Sequence, residues 1–235
     1  MSSQPMPFIL ALAVALVLSV GCKKKDIDSI SEAQDCLDSS TSSTALACME
    51  KVNGLDSEAA NLIRCSANFI YQEFTSPTRL AGIAEQMKNS GGASPAAAMG
   101  LLAFGKPSAT AAGPLAADTL VYCQKAKSKG MLLLAAMAQI ATSASVALNN
   151  TTLIDDCNPN SGSYNSATCE ATAKAAICGA SSATIGQAAL AAYQQSCLGS
   201  SQQNSTVCTQ FAAAASGTTD AATIGTNVKG ANGCP

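Results

Sequence analysis

Eleven cysteines and no histidine set the chemistry open to this 235-residue chain. A thiolate serves as nucleophile, metal ligand or disulfide half, and spacing separates these uses. No Cys-x-x-Cys occurs and imidazole is absent, so no metal site is expected. A Ser-His-Asp or Cys-His arrangement is excluded outright. Three windows instead share one form: Cys36-LDSSTSSTALA-Cys48, Cys157-NPNSGSYNSAT-Cys169 and Cys197-LGSSQQNSTV-Cys208. Each has a cysteine ending a helix-like run, a Ser/Asn/Gly-rich turn, a Ser or Thr cap, and a second cysteine in the next helix's first turn. Both thiols then lie at one end of an antiparallel helix pair, which predicts the disulfides Cys36–Cys48, Cys157–Cys169 and Cys197–Cys208. Closing loops this short constrains the unfolded chain by roughly 3 kcal/mol each. Cys65, Cys123, Cys178 and Cys234 remain once Cys22 is set apart. Cys65–Cys123 and Cys178–Cys234 are the expected pairs, although ten thiols allow many pairings and spacing does not choose among them.

Other groups offer little chemistry. Gly100-LLAF-Gly105-Lys106-Pro107 resembles a Walker A loop, but Pro107 stands where a magnesium-holding hydroxyl is required. Its apolar interior favours a buried helix end. Asp155-Asp156 has no partner loop of acidic residues and reads as a solvated helix end before Cys157. Asn-x-Thr at Asn149, Asn150 and Asn204 reads as incidental. No catalytic residue, cofactor-binding residue or cofactor is expected, and the chain is not expected to be an enzyme.

The leading segment is more specific. Phe8 to Val20 is an uncharged apolar run, too short to span a bilayer, ending in small residues at Gly21-Cys22 and followed by Lys23-Lys24-Lys25. It resembles the signal peptide and lipobox of bacterial lipoproteins, in a degenerate form with Ser19 where Leu is usual. The resemblance implies cleavage after residue 21 and lipidation of Cys22, which anchors the chain to a membrane. It also implies a cell-envelope address, and Lys23 rather than Asp after the cysteine points to the outer membrane. Near an anionic surface each lysine would add roughly 1 kcal/mol. An oxidising compartment also suits paired cysteines.

Composition and periodicity describe the elements behind that anchor. Charged residues make up 12% of the chain, against roughly a quarter in typical domains, and aromatic residues 4%. With a net charge of −2, no nucleic-acid partner is expected. Ala-rich helices bury little per residue, so cross-links would compensate. Ser29-Ile-Ser-Glu32 has capping-box spacing and predicts a first helix to about Leu37. A second is expected over Ala45 to Val52, ending at Asn53-Gly54. A third begins near Asp56 with Ala59, Leu62, Ile63, Ile70 and Phe74, together with Cys65 and Phe69, on one broad apolar face. Ser76-Pro77, Ser94-Pro95 and Gly113-Pro114 predict further helix starts. Met131 to Leu148 carries no charge but holds Gln139, Thr142, Ser143 and Ser145, and is expected as a buried central helix. Ala-Thr-Ile-Gly recurs at Ala183–Gly186 and Ala222–Gly225, which predicts two stacked helical repeats of about 40 residues.

The expected fold is all-α, in disulfide-stapled antiparallel helix pairs forming a helical-repeat stack or irregular bundle. The expected organisation is a signal peptide (1–21), a lipidated tether (22–28), an N-terminal helical region (29–150) and Cys-rich helical repeats (151–235) continuous with it. The expected function is that of a periplasm-facing, outer-membrane-anchored interaction or scaffold protein with a protein partner. The alternative is a carrier of an apolar small molecule or lipid in a helical pocket lined by Ala96 to Phe104 and Met131 to Leu148.

Overall fold

Helices begin where a side chain can satisfy a first-turn N–H, and that rule places most elements here. The computed structural model describes residues 25–77, 79, 81, 100–148, 153, 156–157, 164–199 and 205–235. The signal segment, Cys22, Ser94-Pro95, Asp155 and the Asn-x-Thr positions lie outside the described residues. Among those described, the fold is all-α with no strand.

α1 (25–38) is already helical four residues before the expected cap, so Ser29 sits inside it and the last stretch of the expected tether, 25–28, is helical. Asp26 and Asp28 near its start favour that earlier entry through the helix dipole. Cys36–Cys48 links α1 to a 3-10 helix, Ala45–Val52. α2 (Glu58–Tyr71) is capped by Ser57, whose hydroxyl accepts from Ala60 N–H at 3.2 Å. Its buried face follows the expected one at Ile63, Cys65 and Phe69 and departs from it elsewhere. Ala59 and Leu62 face solvent, while Ala60, Asn61, Ala67 and Asn68 are buried. The cause is that α2 has a core on each side. Ala60, Ile63 and Ala67 close a small core with Ala33, Leu37, Ala45, Cys48 and Val52. Cys65 and Phe69 belong to the main core, which continues through Ile224.

α3 (Ala109–Lys125) begins at the Ser108 cap, not at Gly113-Pro114. Pro114 therefore lies in the second turn, where it contributes no N–H to the helix. Cys65–Cys123 joins α2 to α3. α4 (Lys129–Ala147) is the expected central helix. Ala138, Gln139, Ile140, Ala141 and Thr142 are buried in succession, so the helix is covered all round and needs no polar face. It is long and apolar enough to cross a membrane, yet most of that stretch packs inside the protein.

α5 (Ser166–Gly179) and α6 (Ser182–Ala192) meet at 100°. A π-helical turn, Tyr193–Cys197, extends α6. α7 (Thr206–Ala214) and α8 (Ala221–Ala231) complete the fold. The two Ala-Thr-Ile-Gly copies are capped alike: Ser181 accepts from Thr184 N–H, and Asp220 from Thr223 N–H. They do not stack head to tail. A Cβ on Gly186 would lie 1.7 Å from the Ala221 carbonyl oxygen, and one on Gly225 1.8 Å from that of Ser182. Each glycine thus meets the residue four before the other glycine, a reciprocal contact of the kind a two-fold relation makes and a translation does not. The bare Cα atoms let the α6 and α8 backbones touch, with Ile185 and Ile224 fully buried beside them. Cys178–Cys234 ties the end of α5 to the chain just beyond α8.

Candidate functional site

The cysteines are the first candidate residues, and all ten from Cys36 onward are paired. The structure joins Cys36–Cys48, Cys65–Cys123, Cys157–Cys169, Cys178–Cys234 and Cys197–Cys208, with Cα separations of 4.8 to 5.6 Å. These are the five pairs anticipated from the sequence. Cys157, Cys169, Cys197 and Cys208 sit in the main core, so they cross-link and fill it at once.

The Walker-like loop has its polar groups occupied by the protein itself. Gly105 and Lys106 N–H donate to Gln72 Oε1 at 2.9 and 3.1 Å, and Gln72 Nε2 donates back to the Lys106 carbonyl at 2.7 Å. Phe104 N–H donates to Thr142 Oγ1 at 2.8 Å. Arg79 donates to the Leu101 and Ala103 carbonyls at 2.9 and 2.7 Å and also to that of Gln72. Its guanidinium lies 4.0 Å from the Phe74 ring centroid. Burial pulls Arg79 down to about 10, with the Glu73 charge opposing the shift, so it is cationic at neutral pH. A Cβ on Gly100 would lie 2.7 Å from Cys157 Cβ, so that glycine answers to packing. These backbone amides hold no phosphate cradle; they lock the segment against α2 and α4.

Asp156, the described half of the Asp155-Asp156 pair, accepts from the Thr172 hydroxyl at 3.2 Å. Three other carboxylates serve ion pairs or a helix cap. The Lys125 ammonium lowers the Asp56 carboxyl, the Lys106 ammonium lowers Glu73, and the Thr223 hydroxyl and N–H lower Asp220.

A groove of about 440 Å³ lies where α3, α4 and α6 meet; its α4 wall falls within Met131 to Leu148, the stretch expected to line a pocket, and its α3 and α6 walls were not expected. α3 supplies Gly113, Pro114 and Ala117; α4 supplies Gln139, Ser143, Val146 and Ala147; α6 supplies Ser181, Thr184 and Gln187. The spacing on α4 is one helical stripe. The lining carries no charge. Gln139 is 5% exposed and its Oε1 has no hydrogen-bond partner. A buried acceptor left unpaired costs roughly 1–3 kcal/mol. The sequence did carry a signal: of the four polar residues in the uncharged run, Gln139 and Ser143 stand four apart, on one side of a helix. Misplacing the start of α3 at Gly113-Pro114 hid the wall facing them.

A second groove of about 420 Å³ lies between the α3–α4 turn and the π-helical turn, lined by Gln124, Lys127, Lys129, Gln194, Gln195 and Leu198 among others. Ser196 Oγ donates to the Lys129 carbonyl at 2.8 Å and holds this end shut. Lys127 pairs with Glu58.

Comparison of the chain with protein-family models, curated proteins and solved structures finds no match.

Proposed function

We propose that this chain is a lipid-anchored protein of the bacterial cell envelope, held to the outer membrane through Cys22 and facing the periplasm, that binds a protein partner rather than catalysing a reaction. The observation carrying this reading is the cysteine pairing. Five disulfides take up every cysteine except Cys22, and Cys22 stands where the resemblance to bacterial lipoproteins puts the lipid. Disulfide-dense helices suit an oxidising compartment. The two grooves are open at the surface and carry mixed polar and apolar linings, which supports recognition of a partner surface over storage of an apolar cargo.

The test is Cys22→Ser in the native host. The variant is expected to leave the membrane fraction and to lose incorporation of an alkyne-tagged fatty acid, and retention of either would overturn the anchor. Native mass spectrometry of the purified wild type is expected to show no stoichiometric lipid beyond the covalent anchor. A co-purified apolar molecule would move the assignment to a carrier.

A further inference from the structure

The five disulfides differ in how the protein covers them. Cys65, Cys123, Cys157, Cys169, Cys197 and Cys208 are buried in the main core, and Cys48 in the small one with Cys36 packed against it. Cys178–Cys234 is the pair in which both residues are only half-buried, and Cys178 belongs to neither core. A disulfide opens when a thiolate attacks one of its sulfurs, so access decides which pair a reductant reaches. The two segments joined here are also held together by other means. A turn at the end of α8 fixes Cys234: Gly233 N–H donates to the Gly230 carbonyl at 2.9 Å and Cys234 N–H to the Lys229 carbonyl at 3.1 Å, with Gly233 at φ 72°. Lys229 Nζ donates to the Ala180 carbonyl at 2.9 Å, two residues past Cys178. A Cβ on Gly233 would lie 3.0 Å from Lys174 Nζ, so this ammonium, one turn before Cys178, stands against the turn that carries Cys234. Both cysteines lie at helix C-terminal ends, whose dipoles oppose a thiolate, and the two ammoniums offset that charge.

We propose that Cys178–Cys234 is a site of reversible thiol–disulfide exchange with a dithiol, while the other four disulfides are permanent cross-links. One thiolate of the dithiol attacks Sγ of either cysteine; the bond between Cys178 and Cys234 breaks, and the other cysteine leaves as a thiolate. The second thiolate of the dithiol then displaces the first cysteine. The pair gains two electrons and, on protonation, two protons, and the dithiol becomes a disulfide. The freed thiols stay side by side, because Lys229, Lys174 and the turn after α8 keep their segments in place. Reoxidation is then intramolecular and returns the same pair. The buried pairs do not respond, since a reductant reaches them only when the core opens. The tie between α5 and the end of α8 is thus made and broken by redox state while the fold around it persists.

The experiment treats the purified full chain in detergent with graded dithiothreitol under native conditions, traps free thiols with iodoacetamide and maps them by mass spectrometry. Cys178 and Cys234 are expected to be labelled together, about tenfold faster or more than any cysteine of the other four pairs. Replacing the dithiothreitol with oxidised glutathione is expected to restore Cys178–Cys234 and no other pairing. The double variant Cys178→Ser, Cys234→Ser is expected to keep the helical circular-dichroism signal and the other four disulfides. Earlier labelling of another pair would overturn the proposal, as would release of all ten thiols in one step, a different pairing on reoxidation, or an unfolded double variant. The labelling reads this pair and the Cys22→Ser fractionation reads the anchor, so either can fail while the other stands.

Discussion

Two junctions close this fold, and they do so by opposite means. Around residues 69–79 and 100–107 the chain is held by bulk. Phe69, Phe74 and Phe104 meet edge to face with centroids 5.0 to 5.8 Å apart, and Arg79 and Gln72 satisfy the carbonyls and amides around them. Between α6 and α8 the chain is held by the absence of bulk: Gly186 and Gly225 bring two backbones into contact. The first junction gathers three of the chain's five phenylalanines. The second uses residues that contribute almost nothing by burial and stabilises through proximity. A chain this poor in large side chains concentrates them where an irregular segment must be buried. It relies on close helix approach and disulfides elsewhere.

Substitutions separate the two modes. Phe104 is 1% exposed and touches both other rings. Phe104→Ala is expected to destabilise by about 3–5 kcal/mol in urea or thermal unfolding. A loss under about 1 kcal/mol would show that the polar lattice alone holds the loop. Gly186→Ala is expected to cost about 3 kcal/mol, since the added methyl collides with backbone and the helices must part. Gly225→Ala should cost about the same, and the double variant little more than either, because both open one seam. Gly130→Ala is the control: nothing lies within 4 Å of its Cβ position, so a gain of about 0.5 kcal/mol is expected. Equal effects at Gly130 and Gly186 would dismiss the seam.

The smallest effect concerns the caps. Asp220 is held below its usual 3.8 by the Thr223 hydroxyl and N–H. A carboxyl depressed in the folded state stabilises fully above its unfolded value and loses that contribution as pH falls through the folded value. Asp220→Ala should therefore lower the melting temperature slightly at neutral pH, with the gap to wild type closing below about pH 4. Asp220→Asn, which still caps, should retain most of the wild-type stability and flatten that part of the acid limb. Ser181, its counterpart, has no charge, so Ser181→Ala should show a gap independent of acid.

Legibility in the sequence followed chain distance. The short staples Cys36–Cys48, Cys157–Cys169 and Cys197–Cys208 span 12, 12 and 11 residues, and a turn with a cap fixes such geometry locally. Most helix starts were readable for the same reason. The exceptions were α1 and α3. Ser29 and Gly113-Pro114 both look like starts, but an earlier competing signal lies upstream of each: Asp26 with Asp28, and Ser108. The α2 face was misread in part, at Ala59 and Leu62, because a periodic pattern assumes one core, and α2 has two. The groove was anticipated only in its α4 wall because its ten lining residues come from three helices.

By itself the sequence determined the all-α character, the paired-cysteine chemistry, the short staples and the recurrence of Ala-Thr-Ile-Gly. The first three are read from residue types and from spacings of no more than 12 residues, and the recurrence from direct comparison of two segments. Only the tertiary structure decided how the two copies meet, where the Walker-like amides spend their hydrogen bonds, and that the Gln139 carbonyl oxygen is buried without a partner. Those outcomes hang on which distant backbone atoms arrive within a few ångströms. For Gly186 and Gly225 in particular, a missing side chain marks a position where something must come close without naming what comes.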